Sequence, residues 1–512
     1  MSDAVDHGIT VTEVAATDQP IDVSPETTAA FVGRATRGPL NTPLLVQSFA
    51  EFRRLFGDLS PRSSLGPAAK QFFEHGGLRL YVVRVANNAR GAMICLPAKG
   101  SALVLRAVEP GSAEIIRAAV DYDGIDDEEH FNLTLQRLDP ASRLVLDQEY
   151  FDKVSYTEES ERFVGEALAA SVLARVEHPF PTHRPESTAE SAWRPGSAYV
   201  EAAQSGNDGA ELSDYDLVGS RTEGTGLFAL DPALSFDILY LPPPGVGIDT
   251  GPAAVLAAEM FCRKRRAMLI VDPRHAWASA GDAVRGVREL GYASPNLIGY
   301  YPLMRDRDGK DEVRSIGGAI AGLLCKQDRT VGPWGDLGQP GLGLQRRFVP
   351  GASVDDEDAA LLKRAGLNVI AVGSAGRSRV SGAVTMARGV EVQRTFAKLP
   401  VRRFCLRIIS AIRDATKWSI FEQWDKNLAR RVRAQVLAYF YSLSDLGAFA
   451  DDDFAVDCDV GVSKRSDQDM HGVTLMLRFR PVSSNEPVSL TLHLTASGCR
   501  VGSTAFGPQE FT

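Results

Sequence analysis

The sequence predicts a multi-domain α/β protein built on a central, mostly parallel sheet covered by helices. Three features carry that reading. From Asp231 onward, short apolar runs alternate with helix-length segments, the rhythm of a sheet covered on both faces. An acidic block separates this part from strand-like runs nearer the start, and the last 115 residues change rhythm again. The 512 residues suffice for about three domains of roughly 150 residues, each with its own core.

Residues 1–24 hold one short alternating stretch, Ile9-Thr10-Val11-Thr12-Glu13-Val14. A single strand is not stable alone, so it must pair with a sheet of its own subunit or of a neighbour. The apolar run Ala30-Phe31-Val32-Gly33 follows, then a turn at Arg37-Gly38-Pro39. Phe49 to Phe56 reads as a helix stopped by Gly57, and Pro67 to His75 as a second stopped by Gly76-Gly77. The β-branched run Leu80 to Val85 reads as a buried strand.

Residues 93–226 form a separate block. Within 101–226 there are 25 acidic and 10 basic side chains, a local charge of -15, while the whole chain carries -9. The remainder is therefore mildly basic at +6. An acidic segment on a basic body suggests a solvated appendage, dispensable for the body's fold, on a protein that meets other surfaces. Phe131 to Gln136 and Leu144 to Leu146 are expected to form a hairpin around Asp139-Pro140, with a helix from Glu158 to Ala170 and loop over 179–226.

The body resumes with strands at Phe236–Leu241, Ala267–Val271, Asn296–Tyr301 and Leu367–Val372. Helices are expected at Gly251–Arg265, Ala276–Leu290 and Ser315–Cys325. In the last part, Arg402–Arg413 and Phe421–Leu443 read as helices, the second with the apolar stripe Leu428, Val432, Val436, Phe440 and Leu443. Strands at Phe454–Val460, Val473–Arg480 and Val488–Leu494 complete the chain.

Composition and motifs narrow the function. With 44% hydrophobic and 24% charged residues, the chain is neither disordered nor collagen-like. No run approaches the ~18 apolar residues of a membrane span, and the acidic start lacks the pattern of a signal peptide, so a cytoplasmic site of synthesis is expected. The net charge argues against general nucleic-acid binding. Catalytic motifs are missing: Gly373-Ser374-Ala375-Gly376 is one residue too tight for a nucleophile elbow, and Gly309-Lys310 lacks the upstream glycine of a phosphate loop. Gly245-Val246-Gly247 has its third glycine at Gly251, one place late for a dinucleotide fingerprint. Asp272-Pro273-Arg274-His275 ends a strand, where α/β active sites occur, but a structural role is the better reading. Eight histidines and six single cysteines show no metal-ligand spacing. We expect no enzyme, cofactor or metal.

The local words and their order resemble a known family. They are Thr28-Ala29-Ala30-Phe31-Val32-Gly33-Arg34-Ala35-Thr36-Arg37-Gly38-Pro39, Phe52 to Gly57 and Tyr81-Val82-Val83-Arg84-Val85, then Gly318 to Gly322 and Asp328-Arg329-Thr330-Val331-Gly332-Pro333-Trp334. Gly366 to Ile370, Gly382 to Thr385, Val401 to Phe404, Lys417 to Glu422 and Gly447 to Phe449 follow. In this order, over most of the chain, they resemble the tail sheath proteins of contractile-tailed bacteriophages and related contractile injection systems. Two stretches depart from the family: Gly8 to Glu13 replaces a Pro-Gly-aromatic start, and Ser484-Asn485-Glu486-Pro487 replaces a Pro-Ala-Glu-Phe run.

The resemblance implies a structural subunit that stacks as hexameric rings around an inner tube and contracts to drive it through a target envelope. A tailocin or type VI-like sheath is the related alternative, and a hydrolase-like enzyme the distant one. It implies a subtilisin-like but non-catalytic body over 25–92 and 227–397, an outer inserted domain over 93–226, and a C-terminal domain over 398–484. The arms 1–24 and 485–512 are each expected to donate a strand to a neighbour, through Ile9, Val11, Glu13 and Val14 at one end and Val488, Leu490, Leu492 and Leu494 at the other. The C-terminal domain then has two strands of its own. Implied partners are further copies, the tail tube protein, and baseplate and tail terminator proteins, in a virion tail assembled in host cytoplasm; no nucleic acid or membrane is implied. Lys426, Arg430 and Arg433 are candidates to face the tube. Cys262, Cys325 and Cys405 are expected on apolar helix faces. Cys458 and Cys499 are expected outside the core, where an inter-subunit disulfide is conceivable once particles meet an oxidising medium.

Overall fold

The computed structural model describes residues 20–23, 26–188, 199–230, 234–307, 313–339, 341–373, 376–387, 395–422, 425–463, 470–495 and 498–503. The chain forms two compact units, one of Glu26–Thr330 with Leu337–Arg388, the other of 20–23, 331–336 and the described residues from 395 onward.

The larger unit begins with β1 (Thr28–Gly33) and β2 (Leu44–Val46). Helices α1 (Phe49–Phe56) and α2 (Leu65–Glu74) lead to β3 (Arg79–Arg84). Ser48 accepts the N–H of Glu51 at the start of α1, and Gly57 ends the helix at φ 86°, so cap and stop both follow from residue type.

The inserted segment is richer in strands than its sequence suggests. It runs through β4 (Met93–Ala98), β5 (Ser101–Ala107), β6 (Ile115–Asp121), β7 (His130–Leu138) and β8 (Val145–Ser155). After these come α3 (Val164–Ala167), β9 (Ala174–Glu177), β10 (Val200–Glu201) and α4 (Asp214–Val218). The helix expected over Glu158–Ala170 shrinks to α3 and one 3-10 turn. β8 instead runs for eleven residues, far beyond the expected Leu144–Leu146. Two antiparallel sheets, β10-β6-β7-β8 and β4-β5-β9, share one core that includes Leu96, Leu105, Val120, Leu133 and Val164.

The body then continues with β11 (Ile238–Tyr240), α5 (Pro252–Arg265), β12 (Met268–Val271), α6 (Ala280–Glu289) and β13 (Leu297–Tyr301). A small sheet of β14 (Met304–Asp306), β15 (Val313–Arg314) and β16 (Phe348–Pro350) brackets α7 (Gly317–Thr330). Helix α8 (Asp356–Arg364), β17 (Leu367–Val372) and β18 (Ser378–Ser381) complete this unit. The main sheet has the order β18-β17-β13-β12-β11-β1-β3-β2. Its six central strands are parallel, and only β18 and β2 run antiparallel.

Both faces of this sheet are covered. Alternate residues such as Val32, Leu239, Leu269 and Leu367 meet α5, α6 and α8 in one core. On the opposite face Phe31 packs edge-on to Phe72 of α2 and to Tyr240, with ring centroids 5.6 and 5.3 Å apart. The glycines of α7 permit its close crossing with α2: a Cβ on Gly318 would lie 2.2 Å from the carbonyl oxygen of Ala68, and one on Gly322 2.4 Å from that of Phe72.

The second unit is α+β. Helices α9 (Leu399–Ala415) and α10 (Lys426–Asp445) precede four strands, β19 (Phe449–Ser463), β20 (Met470–Pro481), β21 (Val488–Thr495) and β22 (Gly498–Ser503). Asp425 caps α10 by accepting the N–H of Leu428 at 2.8 Å. The stripe Leu428, Val432, Val436, Phe440 and Leu443 is buried against the sheet. Phe440 lies at the centre of this core, its ring 5.4 Å from that of Phe449 and 5.7 Å from that of Phe479.

Candidate functional site

The sequence points to assembly surfaces rather than to a pocket, so the site is built from strands, charges and joints. In the C-terminal sheet the order is β19-β20-β21-β22, every neighbour antiparallel. Val488, Leu490, Leu492 and Leu494 alternate inward along β21 and are at most 4% exposed. Their strand pairs with β20 on one side and β22 on the other. This corrects two expectations: the domain has four strands of its own chain, and 488–495 has local partners. The physical reason is the turn at 482–487, short enough to fold β21 back on β20 and bury the same apolar face. Among the described residues no strand pairs with the outer sides of β19 and β22. Ile9, Val11, Glu13 and Val14 lie outside the described residues.

Lys426, Arg430 and Arg433 are all exposed along α10. Their spacing of four and three residues sets them on one stripe. Arg433 is also tied down, since its Nε donates to the carbonyl of Val456 in β19 at 2.8 Å. Arg430 donates from its guanidinium to Asn427 Oδ1 at 2.8 Å.

Cys262, Cys325 and Cys405 are buried, and all six cysteines are free thiols. Cys458 and Cys499 are half-buried, and both side chains pack on the C-terminal core, which corrects their placement outside it. Each shares the inward face of its strand, Cys458 beside Leu475 and Cys499 beside Leu494. Burial, with Asp459 adding to it, pushes the Cys458 thiol up to about 12.

The joint between the inserted segment and the body carries charges that the sequence did not single out. Arg84, 1% exposed, donates to the carbonyls of Ala35 at 3.0 Å and Gly38 at 2.5 Å. Burial pushes its guanidinium down to about 10. Glu109 accepts the N–H of Gly38 at 3.0 Å and lies 3.4 Å from Arg137. Arg137 also donates to Glu114 at 2.7 Å. Short bridges Asn87↔Ala210 and Arg90↔Asn207 add backbone pairing across the joint. The insertion is thus clamped to the body rather than hung from it.

The strand end 272–275 brings a histidine to a carboxylate. Asp249 Oδ1 lies 2.6 Å from His275 Nδ1, and Arg274 is 3.4 Å from the same carboxylate. That is the geometry of a base and its orienting carboxylate. Among the described residues, however, no hydroxyl or thiol hydrogen-bonds the His275 ring, so the pair ties the loop before α5 to the loop after β12. The neighbouring Asp272 accepts from Tyr240 at 2.6 Å and from Tyr300. The residue keeps some exposure but its carboxyl is enclosed, and burial pushes it up to about 6 against these hydrogen bonds. Among the described residues no cluster of three or more His, Cys, Asp or Glu is placed to hold a metal, and no helix is long and apolar enough to cross a membrane.

No curated protein matches the chain by sequence. Residues 391–495 match the family model described as phage tail sheath C-terminal domain. Among solved structures, a sheath tail protein of Listeria innocua is similar with a TM-score of 0.61 and 14% identity, over 92% of this chain and 95% of that one. A sheath tail protein of Desulfitobacterium hafniense is similar with a TM-score of 0.58 and 13% identity, over 95% and 100%. The sheath complex of an extracellular contractile injection system, PVC, in its contracted state has a TM-score of 0.52 and 14% identity, over 100% and 97%. Residues 391–495 are therefore similar to the phage tail sheath C-terminal domain, and the chain as a whole has a fold similar to that of the sheath proteins of phage tails and contractile injection systems.

Proposed function

We propose that this chain is the structural subunit of a contractile sheath. Copies stack as hexameric rings around an inner tube, meet a baseplate at one end and a terminator at the other, and contract to drive the tube through a target envelope. The carrying observation is the similarity of 391–495 to the tail sheath C-terminal domain, and the fold of the rest of the chain supports it. The reading covers a phage tail assembled in host cytoplasm and a phage-like injection machine alike. A body of subtilisin-like topology is then a scaffold, in keeping with an Asp249–His275 pair that meets no nucleophile among the described residues.

In this reading neighbouring copies are woven together at the C-terminal sheet. The edges of β19 and β22, which no strand pairs with among the described residues, offer backbone groups to which an extended arm adds as a further strand. The N-terminal arm around Ile9 to Val14 is the proposed added strand. Lys426 and Arg430 are the proposed tube contacts, with Arg433 partly committed to β19. Energy for contraction resides in contacts between copies that improve in the contracted state, so no nucleotide is required.

Negative-stain microscopy of the purified chain, alone and with the tube protein, tests the reading. Rings or tubes are the expected result; a chain that stays monomeric under both conditions overturns it.

A further inference from the structure

Helix α5 is apolar on two sides. Its inward residues Ala254, Val255, Ala258 and Cys262 belong to the body core. Its outward side exposes Leu256 at 45% and Met260 at 52%, one turn apart. Next along the helix are the exposed Arg263 and Lys264, neither of which forms an ion pair among the described residues. A helix that only roofs a sheet turns polar residues outward, as the neighbouring α6 does with Arg285, Arg288 and Glu289. The outer face of α5 is therefore built to be covered.

A second surface of the same chain has the opposite charge. Among the described residues strand β8 is the outer strand of its sheet, laddered with β7 and bridged on its other side at its last residue, Ser155, by Phe163. It exposes Leu146 at 40% and Tyr150 at 57%, four residues apart and so on one face of the strand. Just past its end stand the exposed Glu158, Glu159 and Glu161. Lys153 is the one cation on the strand, so the surface is acidic on balance.

We propose that the outer face of α5 docks the β8 region of a second copy, with Leu256 and Met260 against Leu146 and Tyr150, and Arg263 and Lys264 against the glutamates beyond β8. The choice of a second copy rests on the sheath reading and on this match of sign. Because the two patches are different surfaces of one chain, the contact is head-to-tail. Such a contact repeats into a ring or helix instead of closing as a two-fold dimer.

Charge reversal tests the pairing. The variants R263E/K264E and E158K/E159K are each expected to raise the concentration needed for assembly by about tenfold at low salt, and a chain carrying both pairs to recover most of the loss. Melting temperatures close to that of the unaltered chain show that the folds are intact. A second measurement does not depend on charge: M260C and Y150C chains, mixed and treated with a short thiol cross-linker, are expected to give a mixed dimer. Assembly unaffected by either reversal, no recovery in the combined chain, or a Met260→Cys chain that cross-links only to itself overturns the docking while leaving the sheath reading intact. An unaltered chain that never assembles, with or without tube protein, sinks the sheath reading and the docking with it.

Discussion

The carboxylate of Asp214, near the end of the inserted segment, accepts the backbone N–H of Gly251, 2.9 Å away at the start of α5. It also accepts the N–H groups of Ala253 at 3.1 Å and Ala254 at 3.2 Å. An acidic residue from one domain thus caps a helix of another, serving both the unpaired N–H groups and the helix dipole. Gly251 leaves room for it, since a Cβ there would lie 2.2 Å from Asp214 Oδ2. We expect D214A to lower stability by about 1–2 kcal/mol, and Gly251→Ala to do the same by expelling the carboxylate. Urea unfolding checks both, and the double variant is expected to lose little more than either alone, because the two changes remove one cap.

Within the inserted segment Arg137 pairs with Glu114, whose side chain is 0% exposed, while its own is 13% exposed. Burial pushes the Glu114 carboxyl up, and Arg137 pulls it back. R137M strands that carboxylate in a dry site, which costs about 3–5 kcal/mol. Arg137→Met combined with Glu114→Leu is expected to recover much of the loss, because no charge then remains to be buried. A double variant as unstable as the single one would show that the inserted segment depends on Arg137 for packing alone.

Asp272 makes stability depend on pH in a direction opposite to most carboxylates. Its folded value of about 6 lies above the ordinary 3.8, so the folded chain holds a proton that the unfolded chain gives up sooner. The contribution is complete below about pH 4 and is lost as pH rises through 6, with a size on the order of 3 kcal/mol. D272N keeps a neutral, hydrogen-bonding side chain. Relative to it, the unaltered protein is expected to lose stability between pH 4 and 7 in thermal melts. Parallel pH profiles for the two chains would remove Asp272 as the source.

Much of the body was legible because its signals are local. Phe49 to Phe56 forms α1 over the expected residues, and Leu367 to Val372 forms β17; in each, apolar spacing and a glycine stop coincide. The inserted segment was not legible to the same degree. Strands β4, β5 and β6 were not assigned although Lys99-Gly100 and Pro110-Gly111 mark the turns between them, and the acidic run Glu158 to Glu161 reads as a helix start but lies in a loop past β8. Joints were the least legible of all. Nothing near Asp214 in sequence reveals that its partners lie at 251–254, because such a contact exists only once two domains have folded. The pairing of β21 was missed for a different reason: an alternating strand looks the same whether its partner is in its own chain or in the next.

That pairing changes what a C-terminal truncation does. Removing everything after Ser484 takes away Val488, Leu490, Leu492 and Leu494, all buried in the C-terminal core. At about 1.5–3 kcal/mol for each buried aliphatic side chain, the loss exceeds what a domain of this size can spare. We expect the truncated chain to expose protease sites across α9 to β20 while Glu26–Thr330 stays resistant, rather than to remain folded and merely fail to polymerise. Limited proteolysis with fragment mapping decides between the two; a C-terminal unit as resistant as in the full chain would mean that β21 is dispensable and available to a neighbour.

The thiols of Cys458 and Cys499 belong to the two outer strands of the C-terminal sheet, β19 and β22. Cys458 sits opposite Leu475, which sits opposite Leu492, which in turn faces Val501. Three strand spacings separate β19 from β22, about 14 Å, twice the Cα separation of about 7 Å that a disulfide tolerates. A bond within one chain is therefore excluded by geometry. Between chains the obstacle is reactivity: both side chains turn toward the core, and Cys458, held up near 12, carries almost no thiolate at neutral pH. We expect assembled particles to run as a single monomer band on a non-reducing gel. Labelling with a thiol reagent at pH 8 is expected to be slow at Cys458 and to become fast only when the chain is unfolded. A ladder that collapses with reductant would show that assembly turns these cysteines out of the core and brings neighbouring sheets edge to edge.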